Sequence, residues 1–240
     1  MSIRQVLHNL LRQRGYDVVH FSPRQHPLAL RKKLLNSYNV NVILDVGADV
    51  GQWAKTMRQE LGFSGRIVSF EPLRSTFSLL QKNAARDSRW QVLNYALGDK
   101  ETVTRINIAQ NSHSSSFLDI LPRHIEAAPQ SQYVGTETVE IRTLDSIFDS
   151  LRSPGDNVYL KIDTQGYEGR VIKGAEKCLT HIATIQIEMS LVGLYQDQML
   201  FDDMYCLMCG KGYELVSIET GFSDPVSGRI LQVDGIFHRF

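Results

Sequence analysis

Several features are scarce in this sequence of 240 residues. Its three cysteines are too few, and too odd in number, for a disulfide scaffold, so a reducing cytoplasm is the expected compartment. No apolar run approaches the roughly 20 residues that span a bilayer, and the first residues lack the apolar core and cleavage site of a signal peptide. The formal net charge is zero, which argues against a protein that coats nucleic acid through a uniformly basic surface.

The neutral total hides an uneven distribution of charge. The first 40 residues contain seven Lys and Arg residues but only Asp17 as an acid, so this segment carries +6 and the remainder −6. We therefore predict a basic helical extension over residues 1–39 and an acidic domain over residues 40–240. Apolar residues at helical spacing predict a first amphipathic helix, whose arginines suit an anionic lipid surface or an acidic partner. The alternative is a helix packed on the main domain or on a second subunit.

Alternating strand and helix patterns follow from residue 40. The run at 40–46 is almost continuously aliphatic and β-branched, which is typical of a parallel strand buried on both faces. The next patterns predict a helix at 51–61, a strand at 66–70, a helix at 74–86 and a strand at 91–95. With right-handed crossovers this order predicts half of a doubly wound α/β sheet. Further strands are expected at 102–109, 138–142, 157–163, 182–188, 212–219 and 230–237, and further helices at 119–128, 167–178 and 198–209.

A glycine-containing turn follows the first strand. Gly47 allows a ligand to approach the backbone, and Gly51 begins a helix whose N–H groups point at that ligand. Asp45 ends the strand, and Glu71 ends the next one, where a carboxylate holds ribose hydroxyls. A dinucleotide fingerprint requires glycine where Asp49 stands, and this carboxylate repels a pyrophosphate. The turn therefore favours S-adenosylmethionine (SAM), a cation, over NAD.

Six segments, in chain order, resemble the FkbM family of SAM-dependent O-methyltransferases: LDVGADVGQW, IVSFEP, NYALGD, NSHSSS, RTLDSI and LKIDTQGYEGRVIKGA. The resemblance implies the class I methyltransferase fold. This fold is a doubly wound, seven-stranded, mostly parallel sheet of order 3-2-1-4-5-7-6, in which strand seven is antiparallel. It also implies methylation of hydroxyl groups, often on sugars of glycolipids, polysaccharides or other natural products.

The resemblance also implies a set of cofactor contacts. The glycine turn would line the methionine and ribose, Glu71 would bind the ribose, and residues after the second and third strands would flank the adenine. These contacts are Asp45, Gly47, Ala48, Asp49, Gly51, Glu71, Pro72, Leu73, Tyr95, Ala96 and Leu97. The chain departs from the family at Asp49, where asparagine is common, and at Gln165, where glutamate is common.

Two carboxylates are the candidate catalytic groups. Asp163 ends the fourth strand of the sheet and Glu188 ends the fifth, so both lie at the edge where class I folds hold the acceptor. A shared proton would make one of them a general base, or the pair would ligate Mg²⁺. His113, in a polar loop, is an alternative base. Ser115, in the same loop, is a candidate hydrogen-bond donor to SAM or the acceptor.

The sequence therefore predicts a cytoplasmic SAM-dependent O-methyltransferase acting on a sugar hydroxyl. An NAD(P)-dependent sugar oxidoreductase and a non-catalytic SAM-binding protein are the alternatives. The expected partners are a sugar or glycolipid acceptor, a membrane surface or anionic acceptor at the N-terminal helix, and a second copy in a homodimer. No nucleic acid partner is expected.

Overall fold

The computed structural model describes residues 3–240, with side chains from residue 5 onward. Two compact units divide the chain, the first ending at Tyr38 and the second spanning Asn39–Phe240. The first unit contains two helices, α1 (Ile3–Gln13), which is the predicted amphipathic helix, and α2 (Pro27–Ser37). Proline is favourable in the first turn of α2 because its missing N–H has no helical partner there.

The second unit contains the remaining helices and strands. In chain order they are β1 (Val42–Val46), α3 (Gln52–Gln59), β2 (Arg66–Phe70), α4 (Arg74–Ala84), β3 (Trp90–Leu93), β4 (Ala96–Leu97), β5 (Thr102–Ala109), α5 (Pro122–Ala127), β6 (Tyr133–Arg142), α6 (Leu144–Leu151), β7 (Val158–Ile162), α7 (Glu168–Lys173), β8 (Thr184–Ser190), α8 (Phe201–Gly210), β9 (Glu214–Thr220) and β10 (Gln232–His238). No helix among the described residues is both long and apolar enough to cross a membrane.

Seven strands form one sheet in the order β3-β2-β1-β7-β8-β10-β9. β10 pairs antiparallel with both of its neighbours, and the other neighbouring strands are parallel. The predicted fold class and strand order are therefore confirmed. Every residue of β1 and β7 is buried because the sheet is covered on both faces, which explains their aliphatic sequences.

A second sheet of three strands, in the order β4-β6-β5, lies in the same unit and was not predicted. β6 begins at Tyr133, five residues before the strand expected at 138–142. Its first half contains exposed residues and a glycine, so the apolar alternation that marks a strand is weak there. The helix α6 was also not predicted.

The helix expected at 167–178 is interrupted. α7 ends at Lys173, and a short 3₁₀ turn follows at Cys178–His181. Gly174 follows the last residue of α7, and a methyl group on its Cα would lie 1.8 Å from the carbonyl oxygen of Gly98. The backbone at Gly174 therefore packs directly on the turn after β4.

Candidate active site

A cavity of about 220 Å³ opens at the carboxyl ends of β1, β2, β7 and β8. The right-handed crossovers bring these four strand ends to one edge of the sheet. The residues that line the cavity are Val46, Gly47, Asp49, Phe70, Glu71, Pro72, Leu73, Ala96, Leu97, Ile106, Ser112, His113, Ser115, Phe117, Asp163, Thr164, Gln165 and Glu188. Eleven of the fifteen predicted site residues are thus gathered around one cavity.

Four predicted residues do not line the cavity. Asp45 is fully buried and accepts a hydrogen bond from Ser69 Oγ at 3.0 Å. Ala48 is also buried, and the Tyr95 ring packs on Phe70. A methyl group on Gly51 would lie 2.7 Å from the side chains of α4 and β3, so close packing as well as its positive φ of 83° requires glycine.

Glu71 joins the end of β2 to the glycine turn. Its Oε2 accepts from the backbone N–H of Asp49 at 3.0 Å, and its Oε1 accepts from the N–H of Leu73 at 2.9 Å. Burial, with a smaller contribution from the Asp49 charge, outweighs these two hydrogen bonds and raises the pKa of Glu71 to about 8. A carboxylate oxygen accepts more than one hydrogen bond, so Glu71 retains acceptor capacity for hydroxyl groups in the cavity.

Gly47 holds β1 against β7. Its φ is 76°, and a methyl group on its Cα would lie 1.8 Å from the carbonyl oxygen of Asp163. Only glycine fits this left-handed, close-packed position. The glycine turn and the loop carrying Asp163 are therefore in direct backbone contact.

Lys161 is a buried cation beneath the cavity. Its Nζ lies 3.3 Å from Asp45 Oδ1 and 3.2 Å from Asp163 Oδ2, and it donates to the carbonyl oxygen of Gly47 at 3.3 Å. Burial opposes its charge, but the surrounding carboxylates outweigh burial and raise the pKa of Lys161. Because β1 and β7 pair in register at Asp45 and Lys161, the two side chains meet on the same face of the sheet.

Gln165 lies between the two candidate catalytic carboxylates. Its Nε2 donates to Asp163 Oδ1 at 2.9 Å and to Glu188 Oε2 at 2.8 Å. Its Oε1 accepts from the Tyr195 hydroxyl at 2.8 Å. The two N–H groups of one amide thus serve two carboxylates, and Tyr195 fixes which end of the amide faces them.

Glu188 is the carboxylate with an open oxygen. Its Oε2 accepts from Gln165 and, at 2.8 Å, from Gln232 Nε2, whereas no described side chain donates to its Oε1. Asp163, in contrast, uses one oxygen for Gln165 and the other for Lys161. Burial, followed by the negative charge of Asp163, raises the pKa of Glu188 well above its usual range.

The loop at 111–116 closes one side of the cavity through hydrogen bonds. Ser112 Oγ donates to Asp49 Oδ1 at 3.0 Å, and Ser116 Oγ donates to the carbonyl oxygen of Gln165 at 2.7 Å. Ser115 lines the cavity and accepts from the backbone N–H of Ala109. His113 is exposed and reaches the cavity from the same loop.

The donor set around the two carboxylates does not favour a metal ion. Among the described residues no group of three or more His, Cys, Asp or Glu side chains is arranged to hold one. The Gln165 amide also points its N–H groups, rather than its oxygen, at Asp163 and Glu188. An N–H donor competes with a cation for the same carboxylate oxygens.

Sequence reasoning missed the residues that support the two carboxylates. Tyr195 and Gln232 are 30 and 44 positions from the groups they contact, Gln165 and Glu188. Neither belongs to a motif, so only the fold brings them to the site. Lys161 was not missed: its position two residues before Asp163 predicts that it points the same way and pairs with one of the carboxylates, and its ion pair with Asp163 confirms this.

The chain matches the methyltransferase FkbM domain over residues 45–215. No curated protein matches it. A solved structure of a putative methyltransferase from Thermobifida fusca YX is similar, with a TM-score of 0.52 and 11% identity over 88% of this chain and 78% of that one.

Two more distant structures are TehB from Haemophilus influenzae and a putative rRNA-methylase from Clostridium thermocellum. TehB has a TM-score of 0.47 and 8% identity over 95% of this chain and 65% of its own, so this chain spans less than two thirds of TehB. The putative rRNA-methylase has a TM-score of 0.48 and 10% identity over 89% of this chain and 97% of its own. At 11% identity, the similarity to the Thermobifida fusca structure shows a shared fold only.

Proposed function

The chain belongs to the FkbM methyltransferase family, and we propose that it transfers a methyl group from SAM to a hydroxyl group of a sugar in a glycolipid, polysaccharide or glycosylated natural product. The observation that carries this proposal is the acidic lining of the cavity. Asp49, Glu71, Asp163 and Glu188 all line it, and no Lys or Arg does so among the described residues. A cationic cofactor favours the ionised form of carboxyl groups whose pKa is raised by burial, so such a lining suits a cationic cofactor and a neutral acceptor.

The residues near Glu71 fit SAM better than a dinucleotide. Glu71 accepts ribose hydroxyls, and the apolar side chains of Leu73, Leu97 and Ile106 fit the faces of an adenine ring. A pyrophosphate would face Asp49 with no lining cation to offset the repulsion. When bound, SAM supplies an electrophilic methyl group. The oxidoreductase alternative is therefore not supported by either the family or the cavity.

At the acceptor end, Glu188 is the proposed general base. Its Oε1 would take the proton from the acceptor hydroxyl, so that the hydroxyl oxygen could accept the methyl group that bound SAM supplies and SAH would be the leaving group. A raised pKa makes Glu188 a stronger base than an ordinary carboxylate. Asp163 and Gln165 position the base and the acceptor, and His113 is the alternative base.

No metal ion takes part in the proposed reaction. Gln165 and Lys161 already occupy both oxygens of Asp163, and Gln165 and Gln232 occupy Oε2 of Glu188, so only Oε1 of Glu188 is open to Mg²⁺. Methyl transfer should therefore continue at an unchanged rate after treatment with EDTA. A loss of activity that Mg²⁺ restores would return Asp163 and Glu188 to the role of metal ligands.

Cofactor binding is tested by calorimetry with SAM and S-adenosylhomocysteine (SAH). Both should bind at micromolar strength, and Glu71→Ala should abolish binding because it removes the ribose acceptor. Glu140→Ala, at a carboxylate that is 47% exposed on β6, is the matched control and should bind normally. Tight NADH binding without SAM binding would contradict the proposed cofactor.

Catalysis is tested by transfer of labelled methyl groups from SAM to cell extracts of glycolipids and polysaccharides. Glu188→Gln should lower the rate by about a hundredfold or more while leaving SAH affinity intact. His113→Ala separates the two candidate bases, since a comparable loss there and none at Glu188 would reverse the assignment. SAM binding with no transfer to any fraction would favour the non-catalytic alternative.

A further inference from the structure

The apolar side of α1 is exposed to solvent. Val6, Leu7 and Leu10 are 53%, 56% and 50% exposed. Their spacing places them on one side of the helix, together with the partly buried Leu11. A helix of this pattern ordinarily turns its apolar side toward a protein core.

The polar side of α1 is the side that the chain covers. His8 Nε2 donates to the carbonyl oxygen of Val18 at 2.9 Å. Arg12 donates from Nε and Nη2 to the two oxygens of Asp17, at 3.1 and 3.2 Å. Residues 17–18 therefore lie along the polar side of the helix, and the contacts within this unit leave the apolar side uncovered.

The segment after α1 adds further exposed apolar side chains. These are Tyr16, Val18, Val19 and Phe21. We use the term N-terminal surface for Val6, Leu7 and Leu10, and these four residues add exposed apolar area in the same unit. Tyr and Phe are well suited to the boundary between lipid headgroups and acyl chains.

The charge around this surface is strongly positive. Up to residue 38 the chain has seven Lys and Arg residues and a single acid, Asp17. The hydrogen bond from Arg12 lowers the pKa of Asp17, so this acid stays ionised and paired. The side chains of Arg14, Arg24, Lys32 and Lys33 are exposed.

We propose that the N-terminal surface docks on a lipid bilayer that contains anionic headgroups. Its apolar side chains enter the boundary of the acyl chains, and the basic side chains meet the headgroups. A second copy of the chain fits less well, because each copy would bring a segment of charge +6 against another of the same sign. This proposal concerns a different unit from the methyl-transfer site and stands independently of it.

Flotation of the full-length protein with lipid vesicles tests the proposal. The protein should bind phosphatidylcholine vesicles that contain phosphatidylglycerol, and bind pure phosphatidylcholine vesicles much less. Binding should weaken at about 1 M salt, where charges are screened beyond about 3 Å. Equal binding to both kinds of vesicle, or to neither, would overturn the proposal.

Matched variants test whether the N-terminal surface is the part of the protein that binds the vesicles. Leu7→Glu combined with Leu10→Glu should lower the partition coefficient by about tenfold or more, because it removes apolar area and adds negative charge. Val103→Glu combined with Val134→Glu, at residues 65% exposed in the second unit, should bind vesicles as the wild type does. Both variants should keep the wild-type circular dichroism and SAH affinity.

The same variants test whether a second copy of the chain, rather than a bilayer, covers the N-terminal surface. Light scattering without lipid should give the same oligomeric state for the wild type and for the Leu7→Glu, Leu10→Glu variant. A wild-type dimer that becomes a monomer in this variant would show that a second copy covers the surface, and would overturn the choice of a bilayer.

Discussion

At the scale of single residues, Gln165 is the most informative departure from the family pattern. A glutamate there would bring a third negative charge against Asp163 and Glu188, and the three groups would need to share a proton. The neutral amide instead donates one N–H to each carboxylate. Gln165 also has a φ of 54°, so its backbone turns sharply at the point where its side chain bridges the pair. Gln165 is therefore a positioning residue that holds both carboxyl groups through a neutral donor and adds no third negative charge.

Replacing this amide by a carboxyl group should change the pH dependence of methyl transfer. In Gln165→Glu the added carboxyl makes the cluster retain a proton near neutral pH. The acidic limb of the pH–rate profile should therefore move to higher pH by about one unit. The measurement is the rate of labelled methyl transfer against pH. Gln132→Glu, at an exposed glutamine, is the control, and a profile identical to the wild type in Gln165→Glu would contradict the positioning role.

At the scale of elements, Arg58 connects the end of α3 to the loops beside β2 and β3 through hydrogen bonds. Its Nη1 donates to the carbonyl oxygens of Phe63 and Gly65, both at 2.7 Å, and its Nη2 donates to that of Arg89 at 3.1 Å. Its Nε donates to Asp87 Oδ2 at 2.6 Å. These contacts set the direction of the helix that begins at the glycine turn.

Removing this side chain should destabilise the fold. Arg58→Ala should lower the free energy of unfolding by about 2–4 kcal/mol, because several acceptors lose a charged donor that is only 16% exposed. Urea denaturation measures the change. Arg74→Ala removes an ion pair at an arginine that is 80% exposed and should cost at most about 0.5 kcal/mol. Equal losses in the two variants would contradict the structural role of Arg58.

Some elements of the fold could be predicted from the sequence and others could not. β1 and β7 could be predicted because strands buried on both faces have continuous aliphatic sequences. The site residues at the ends of these strands could be predicted with them. The three-stranded sheet could not, since β6 begins in exposed polar sequence. Likewise, the side chains of Asp49 and Glu71 belong to motifs, whereas Tyr195 reaches the site only through the folded chain.

At the scale of the whole molecule, buried carboxyl groups couple stability to pH. Burial raises the pKa of Glu71 to about 8 and that of Glu168 to about 7, both above the ordinary value of 4.5. As pH rises, the unfolded chain loses these protons first, which favours unfolding. Burial lowers the pKa of His124 to about 4. This histidine affects stability only below its ordinary value near 6.5, where falling pH favours unfolding.

The cofactor-free protein should therefore lose stability as the pH rises from about 6.5 to about 8, by about 2 kcal/mol. Urea denaturation across this range measures the slope. Glu71→Gln should reduce this slope, because the amide has no proton to lose while Glu168 and Glu188 still titrate, whereas the exposed Glu140→Gln should leave it unchanged. A wild-type stability that rises over this range would contradict the assignment.

The backbone contact between Gly47 and Asp163 also bears on how this enzyme can diversify. A side chain at Gly47 is sterically forbidden, so the spacing between the cofactor turn and the acidic loop is fixed. The segment at 111–116 contacts the cavity lining through side-chain hydrogen bonds, and the segment at 191–200 contacts that first segment in the same way. Substitution of a side chain in these contacts is tolerated more readily than a side chain at Gly47. New acceptor preferences should therefore arise by sequence drift in those two segments, while the paired strand ends stay invariant.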